Sequence, residues 1–517
     1  MFPLFPSSHR CRALVSSCFL FLFFSLGVAA AESEVVTYEQ FGAVGDGITD
    51  DLPAIVAAHA FANEQGWPVR SNPEATYHLG RQALTAVIQT PTDWNNSRFI
   101  IDDSQGVENH LQSLFEVQSQ FEPVPLSIER LMAGQERLDV RLDTDLLVLV
   151  VNDNQRRFIR RGLNVNSGTP QREVFILRQD GTIEGGIEWD YETFTQVEAR
   201  PIDPEELVLR GGFFINIANR TEKGEGSDYW SRNILITRSN TVVEGLHYEV
   251  VGETDKGFPY VGFLRAQQAA NITFRDCWVD PHRFYYKIGN AGLPVPMGTY
   301  GYSANLVVNF TMQGCRMGDI HDSDFWGVAA SNFMKNVLVE DSVLSRMDVH
   351  MGVSGFYIIR RSTLGHMGIN AIGRGQLIVE DSTVHSQRLI KFREDYGATW
   401  DGEVLVRNSR WVPPRPDDEN LAVFGVRNDG THDFGYTSSM PTVIRIEGLT
   451  IEDGPARDGV SKIALFDDAS GAVDPTLPHP YRATERVEII DLKTTSGLTP
   501  RVSANPKVAE TIPVSGL

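Results

Sequence analysis

Between residues 336 and 411 one short phrase is written four times. The copies are Leu-Val-Glu-Asp-Ser-Val-Leu (338–344), Ile-Ile-Arg-Arg-Ser-Thr-Leu (358–364), Leu-Ile-Val-Glu-Asp-Ser-Thr-Val (377–384) and Leu-Val-Arg-Asn-Ser-Arg-Trp (405–411). Ser342, Ser362, Ser382 and Ser409 hold one register, spaced 20, 20 and 27 residues apart. Two further copies upstream, 273–279 and 311–317, carry Cys277 and Cys315 at the same pivot. Self-similarity at this period belongs to solenoids. The phrase pairs apolar with polar residues around a small one, which suits a short half-buried strand. Each unit is too short for a crossover helix. Stacked coils with inward aliphatic residues predict an all-β protein, a parallel β-helix whose units bury their apolar faces only against neighbours. Equivalent positions then repeat at the strand spacing of about 4.8 Å.

A solenoid grows lengthwise, so 517 residues fit one domain, and 42% hydrophobic residues suffice for a continuous core. The net charge of −21 excludes a nucleic-acid partner and requires any acidic ligand to be met by a local basic patch. His9, Arg10 and Arg12 precede an apolar run, 13–28, and then Ala29, Ala30 and Ala31, the pattern of a secretory signal over 1–31. The chain is expected to be secreted or periplasmic, with no membrane association. Removing the signal leaves Cys277 and Cys315, read as stacked buried residues rather than a disulfide.

The mature chain divides into a cap and first coils (32–120), a stretch where the period is lost (121–230), regular coils (231–455), and closing coils or a C-terminal cap (456–517). The aperiodic stretch predicts elaborated coils or a packed side lobe. Its run Arg156-Arg157-Phe158-Ile159-Arg160-Arg161 reads equally as a charged strand edge or a ligand contact. Residues 41–51, Phe-Gly-Ala-Val-Gly-Asp-Gly-Ile-Thr-Asp-Asp, precede a helix from about Leu52, with Asp50 or Asp51 as its cap and His59 on its packing face. This segment resembles the N-terminal motif of pectate-lyase-like right-handed β-helix proteins. The resemblance implies a right-handed solenoid closed by that helix, and leaves activity open, because lyases, hydrolases and phage tailspikes share the motif.

Five histidines, His282, His321, His350, His366 and His385, follow successive pivots by three to eight residues. Each alone reads as a polar turn residue; together they point to one side of the solenoid. Arg388, Lys391, Arg393, Tyr396 and Trp400 combine cations with aromatic rings, as do 280–287 and the surroundings of Trp326. Such a mixture fits an anionic sugar. A lyase or epimerase acting on a uronate must neutralise the carboxylate, remove the C-5 proton and, for elimination, protonate O-4. The expected catalytic set is His350 as base beside Asp348, Arg393 with Lys391 or Arg388 as neutraliser, and Tyr396 as acid. His282, His321, Trp326, His366, Arg374, His385, Arg388 and Trp400 are the expected substrate contacts.

Over 240–412 the pattern resembles bacterial β-helical polysaccharide lyases, including those acting on glycosaminoglycans. That resemblance implies β-elimination on a uronic-acid polysaccharide, and a monomer is expected. No cofactor is required; Asp319, Asp322 and Asp324 are the weak candidates for Ca²⁺, against a polar turn. Asp280-Pro281-His282 resembles the motif of alginate C-5 epimerases, the alternative reading. Gly365-His366 and Arg388 to Lys391 echo polygalacturonases, but the carboxylate pairs of a hydrolase are missing from the regular coils. A non-catalytic carbohydrate-binding solenoid is the remaining alternative. Asn95, Asn219, Asn271 and Asn309 each begin an Asn-x-Ser/Thr sequence.

Overall fold

Each copy of the phrase is a strand, and each strand pairs in parallel with its counterpart one coil away. The column 243, 274, 312, 339, 359, 379, 406, 446 and 489 runs unbroken through the regular coils. The computed structural model describes residues 34–162, 167–222, 229–283, 298–416, 418, 421–455 and 459–517. The signal segment, and Tyr285, Tyr286 and Lys287 of the 280–287 stretch, lie outside the described residues. Val35–Leu517 form one unit, a parallel β-helix with three strand faces. Val339 and its equivalents represent the second face. The first is represented by Leu344, Leu364, Val384, Trp411 and Ile451. The third is represented by Leu264, Tyr302, Ala329, Met347, Ile369 and Ile390. All of these side chains are buried in a single core.

The pivot serines make the corners. The Oγ of Ser342 accepts from the Cys315 amide at 3.1 Å, that of Ser362 from the Ser342 amide at 3.1 Å, and that of Ser382 from the Ser362 amide at 3.1 Å. Each hydroxyl donates to the carbonyl two residues back, so a buried corner keeps its polar groups satisfied. Cys277 and Cys315 occupy the same position as free, buried thiols, stacked rather than bonded. The preceding residue takes a left-handed turn at Asp276, Asp341, Arg361, Asp381 and Asn408 (φ 45–52°), where Asp and Asn suffer least.

A second corner is an asparagine ladder. Asn271 donates to Asn240 at 2.7 Å, Asn309 to Asn271 at 2.9 Å, and Asn336 to Asn309 at 2.9 Å. It ends at Gly355, where a Cβ would lie 2.2 Å from Asn336 Oδ1. Asn95 and Asn219 also spend their side-chain amides internally, on Ser71 and Phe258 carbonyls, each at 2.8 Å.

The helix Leu52–Gln65 buries Leu52, Ile55, Ala58, His59 and Ala62 against the first coils. Asp50 Oδ1 accepts the Leu52 amide at 3.1 Å, whereas Asp51 turns back to the Val44 amide at 2.7 Å. His59 is a packing residue, buried with its Nε2 3.0 Å from the Tyr38 hydroxyl.

The aperiodic stretch is a side lobe as far as Pro201, after which Leu207–Arg210 and Phe213–Ile217 pair in parallel with coil strands on both sides. Strands Leu146–Arg157, Thr169–Leu177, Ile183–Glu184 and Gln196–Pro201 form an antiparallel sheet. One face carries Leu147, Leu149, Val151, Val174 and Ile176 onto Ala270, Leu306 and Val308 of the solenoid. The opposite face makes a core of its own with Leu131 and Tyr191. A buried pair, Lys335 Nζ to Glu173 at 2.8 Å, pins the lobe to the coils. Among the described residues no helix is long and apolar enough to cross a membrane.

Candidate functional site

Strand Val343–Val349 alternates its side chains: Met347 and Val349 enter the core, while Arg346 and Asp348, followed by His350, project from the outer side of the third face. Asp348 is in register with Asn370 on the next coil and Lys391 on the one after. Arg393, two residues beyond Lys391, reaches back across that step, and its guanidinium lies 3.3 Å from Asp348 Oδ1. His350 Nε2 lies 3.0 Å from Asp348 Oδ2, and Arg346 bonds Asp348 Oδ1. Stacking thus brings His350 and Arg393 onto one carboxylate.

The cluster continues to Asp395, which takes both forks of Arg393 at 2.9 and 2.7 Å. Tyr396 lies with its ring centroid 6.4 Å from that of His350 and 5.2 Å from the Arg393 guanidinium. Tyr300 approaches His350 edge-on at 6.3 Å and stacks on Tyr229. The last member comes from the lobe. Arg160 Nε lies 2.8 Å from Asp395 Oδ2, and its guanidinium is 5.5 Å from the Tyr396 ring. Residues 157–161 are docked there by the Ile159 amide on the Phe434 carbonyl (3.1 Å) and the Arg161 amide on the Asp395 carbonyl (2.8 Å).

The electrostatics follow from burial among opposite charges. Burial pushes the Asp348 carboxyl up, but Arg346, His350 and Arg393 outweigh it and hold it well below the usual carboxylate range. Burial likewise opposes Arg393 and Arg160 at Asp395, which is still pushed down to about 2. Burial lowers the His350 pKa, and Asp348 recovers only part of that shift, so the imidazole is neutral near pH 7. A neutral ring whose Nε2 faces a carboxylate carries its proton there and leaves Nδ1 as the acceptor. Burial raises the Tyr396 phenol and keeps it protonated. Three guanidinium groups against two carboxylates leave one positive charge, within a strongly acidic chain.

Most other expected contacts lie elsewhere. Trp400 is fully buried, its ring among Tyr357 and Phe392, so it is a core residue and not a sugar platform. His282 is 1% exposed, held between the Tyr248 hydroxyl and Glu253, each at 3.1 Å, and presents nothing to a ligand. Arg374 lies 4.4 Å over Trp189 and donates to the Glu188 carbonyl at 2.7 Å, clamping the lobe. Arg388 faces Asp467 at 3.6 Å. His321 and His385 meet edge-on at 4.5 Å, and His366 Nδ1 lies 2.9 Å from the Ile320 carbonyl, so these three form a second group around one turn. The Trp326 ring lies 5.4 Å from the Arg346 guanidinium, beside the first cluster. Lys391 is exposed on the outer face. Asp319, Asp322 and Asp324 sit in a turn where Asp322 Oδ1 accepts the Asp324 amide at 2.9 Å. Among the described residues no group of three His, Cys, Asp or Glu side chains is arranged to hold a metal ion.

Sequence reasoning passed over Arg346, Asp395, Tyr300 and Arg160. The i, i+2, i+4 spacing of Arg346, Asp348 and His350 was available as a strand signal. The only trace of Arg160 was the basic run, which is docked on the coils rather than lining a free edge.

The arrangement defines a class, a parallel β-helix with an ionic cluster on one outer face. No known family profile matches the chain. Among solved structures it resembles the tailspike gp61 of Pseudomonas phage phi297 (TM-score 0.52, 11% identity, 93% of this chain and 83% of that one). It also resembles the gp54 tailspike of Acinetobacter baumannii bacteriophage AP22, solved in complex with an A. baumannii capsular saccharide (TM-score 0.50, 8% identity, 93% and 79%). At these identities the likeness is one of fold. A capsule KL64-specific depolymerase of Klebsiella phage P510 is 26% identical over 135 residues, 22% of this chain and 13% of that protein. The chain therefore spans only a small part of that relative's length.

Proposed function

We propose that the protein is a secreted, polysaccharide-degrading right-handed β-helix that cleaves a uronic-acid-containing polymer, such as a glycosaminoglycan, by β-elimination. The reading rests on one observation: a neutral His350 and a guanidinium cluster with one surplus charge share one outer face, with the protonated Tyr396, 2% exposed, packed directly beneath them. The cations draw charge from the substrate carboxylate, which makes the C-5 proton removable. His350 Nδ1 takes that proton, a C-4 to C-5 double bond forms, the C-4 to O-4 bond breaks, and the Tyr396 hydroxyl protonates the departing O-4.

Hydrolysis at this cluster is disfavoured by its charges. A glycosidase needs one carboxyl group kept protonated as general acid, and the arginines hold both Asp348 and Asp395 ionised. The polysaccharide-active phage relative and the saccharide-bound tailspike fold support a glycan as the class of substrate. Incubation with a panel of uronate polymers tests the proposal. Chain shortening with new ultraviolet absorbance from an unsaturated product is expected. Solvent deuterium at C-5 without shortening would mean epimerisation, and retention on the polymer without either would mean a binding protein.

A further inference from the structure

The lobe interrupts the solenoid's period, yet it does more than cover apolar coils. Residues 157–161 leave its longest strand and lie over the ionic cluster, fixed by backbone hydrogen bonds to Phe434 and Asp395 and by the Arg161–Asp429 pair at 2.8 Å. Of the three guanidinium groups there, Arg393 has its fork closed on Asp395 and a further nitrogen near Asp348, with 8% of its side chain exposed. Arg346 is 10% exposed and bonded to Asp348. Arg160 differs on both counts. Its side chain is 30% exposed, and the Asp395 carboxylate it meets is already held bidentately by Arg393.

We infer that Arg160, delivered by the lobe, is the residue that recognises the acidic group of the substrate, so that charge specificity resides in the insertion and not in the coils. Arg393 is then a positioning residue, which ties Asp348 and Asp395 together and orients His350 and Tyr396. The ligand chemistry is a sugar carboxylate, for which a planar guanidinium offers a two-pronged match. Arg160 can turn from a shared carboxylate to a substrate carboxylate without leaving Asp395 uncompensated, because Arg393 remains on it.

This inference rests on the proposed function, and its test separates the two. The intact protein, Arg160→Ala, Arg160→Lys and the control Arg137→Ala, an exposed lobe arginine paired with Asp180, are compared on an acidic uronate polymer and on the same polymer with its carboxyl groups reduced. Binding is read by affinity electrophoresis and turnover by product absorbance, with melting curves verifying the fold. Arg160→Ala is expected to weaken binding of the acidic polymer about tenfold or more, the loss of a charge-assisted pair. Its KM should rise by a similar factor and the salt dependence of binding should flatten, while binding of the reduced polymer stays unchanged. Arg160→Lys should recover part of the affinity, and Arg137→Ala should behave as wild type. Equal losses on both polymers, or none on either, would overturn the assignment of Arg160 while cleavage by the wild type left the lyase reading intact. A wild type that ignores every acidic polymer would end both.

Discussion

Asp348 is exposed by 1%, and Arg346, Arg393 and His350 compensate its charge inside the protein. His350 is the group on which chemistry would depend. His350→Ala is expected to lower kcat by about 10²–10⁴-fold, the range for a lost general base, with melting temperature little changed because the ring is partly exposed. The pH profile follows from the direction of its pKa. A base acts when unprotonated, and burial lowers His350 from its ordinary 6.5. The acid limb of kcat/KM should therefore inflect below pH 6.5, with activity rising as pH rises through that point. An inflection above 6.5 would mean that another group is the base. His350 and Asp348 were legible because residues two apart on a strand share a face. Arg393 was legible as part of a cation-rich run, although its saturation by two carboxylates was not.

At the scale of elements, the corner serine is a hydrogen-bond device as much as a small residue. In Ser362→Ala the Ser342 amide loses its acceptor within the protein, at a cost of about 1–3 kcal/mol. Ser362→Cys should cost less, since Cys277 and Cys315 fill the same corner. Chemical denaturation of the two variants compares them directly, and equal losses would show that a thiol cannot stand in for the hydroxyl at this corner. On the second face, Glu244, Arg275, Gln313, Glu340, Arg360, Glu380, Arg407 and Glu447 stand in register with mostly alternating charge. A one-coil slip would set like charges opposite one another, so the column helps fix register. The repeated phrase revealed these strands because each coil solves the same packing problem. It could not reveal the lobe, whose strands pair antiparallel with one another and repeat nothing.

Across the whole molecule, stability should depend on pH through groups that folding holds in one charge state. His59 is buried and its pKa is pushed down to about 3 from 6.5. The unfolded chain therefore binds a proton below pH 6.5 that the folded one refuses, and stability falls as pH drops from 6.5 towards 3. Asp395, pushed down to about 2, adds a second loss from about pH 4 downward as its carboxylate is protonated. Melting temperatures measured from pH 8 to 3 should decline on the acid side, and His59→Gln should flatten the upper part of that decline even if it melts lower at neutral pH. A wild type whose melting temperature is constant from pH 7 to 3 would contradict both assignments.

The sequence by itself determined the coil: its strand phrase, its small pivots, its inward aliphatic columns and the outer face on which His350 stands. Those properties arise from neighbours one repeat away, and a period records them. Only the tertiary structure decided that Trp400 and His282 turn inward, that Arg374 serves the lobe, and that Arg160 comes more than two hundred residues along the chain to complete the ionic cluster. Contacts between a periodic and an aperiodic segment leave no repeat in the chain. They are fixed by which apolar faces meet and which buried charges must be paired.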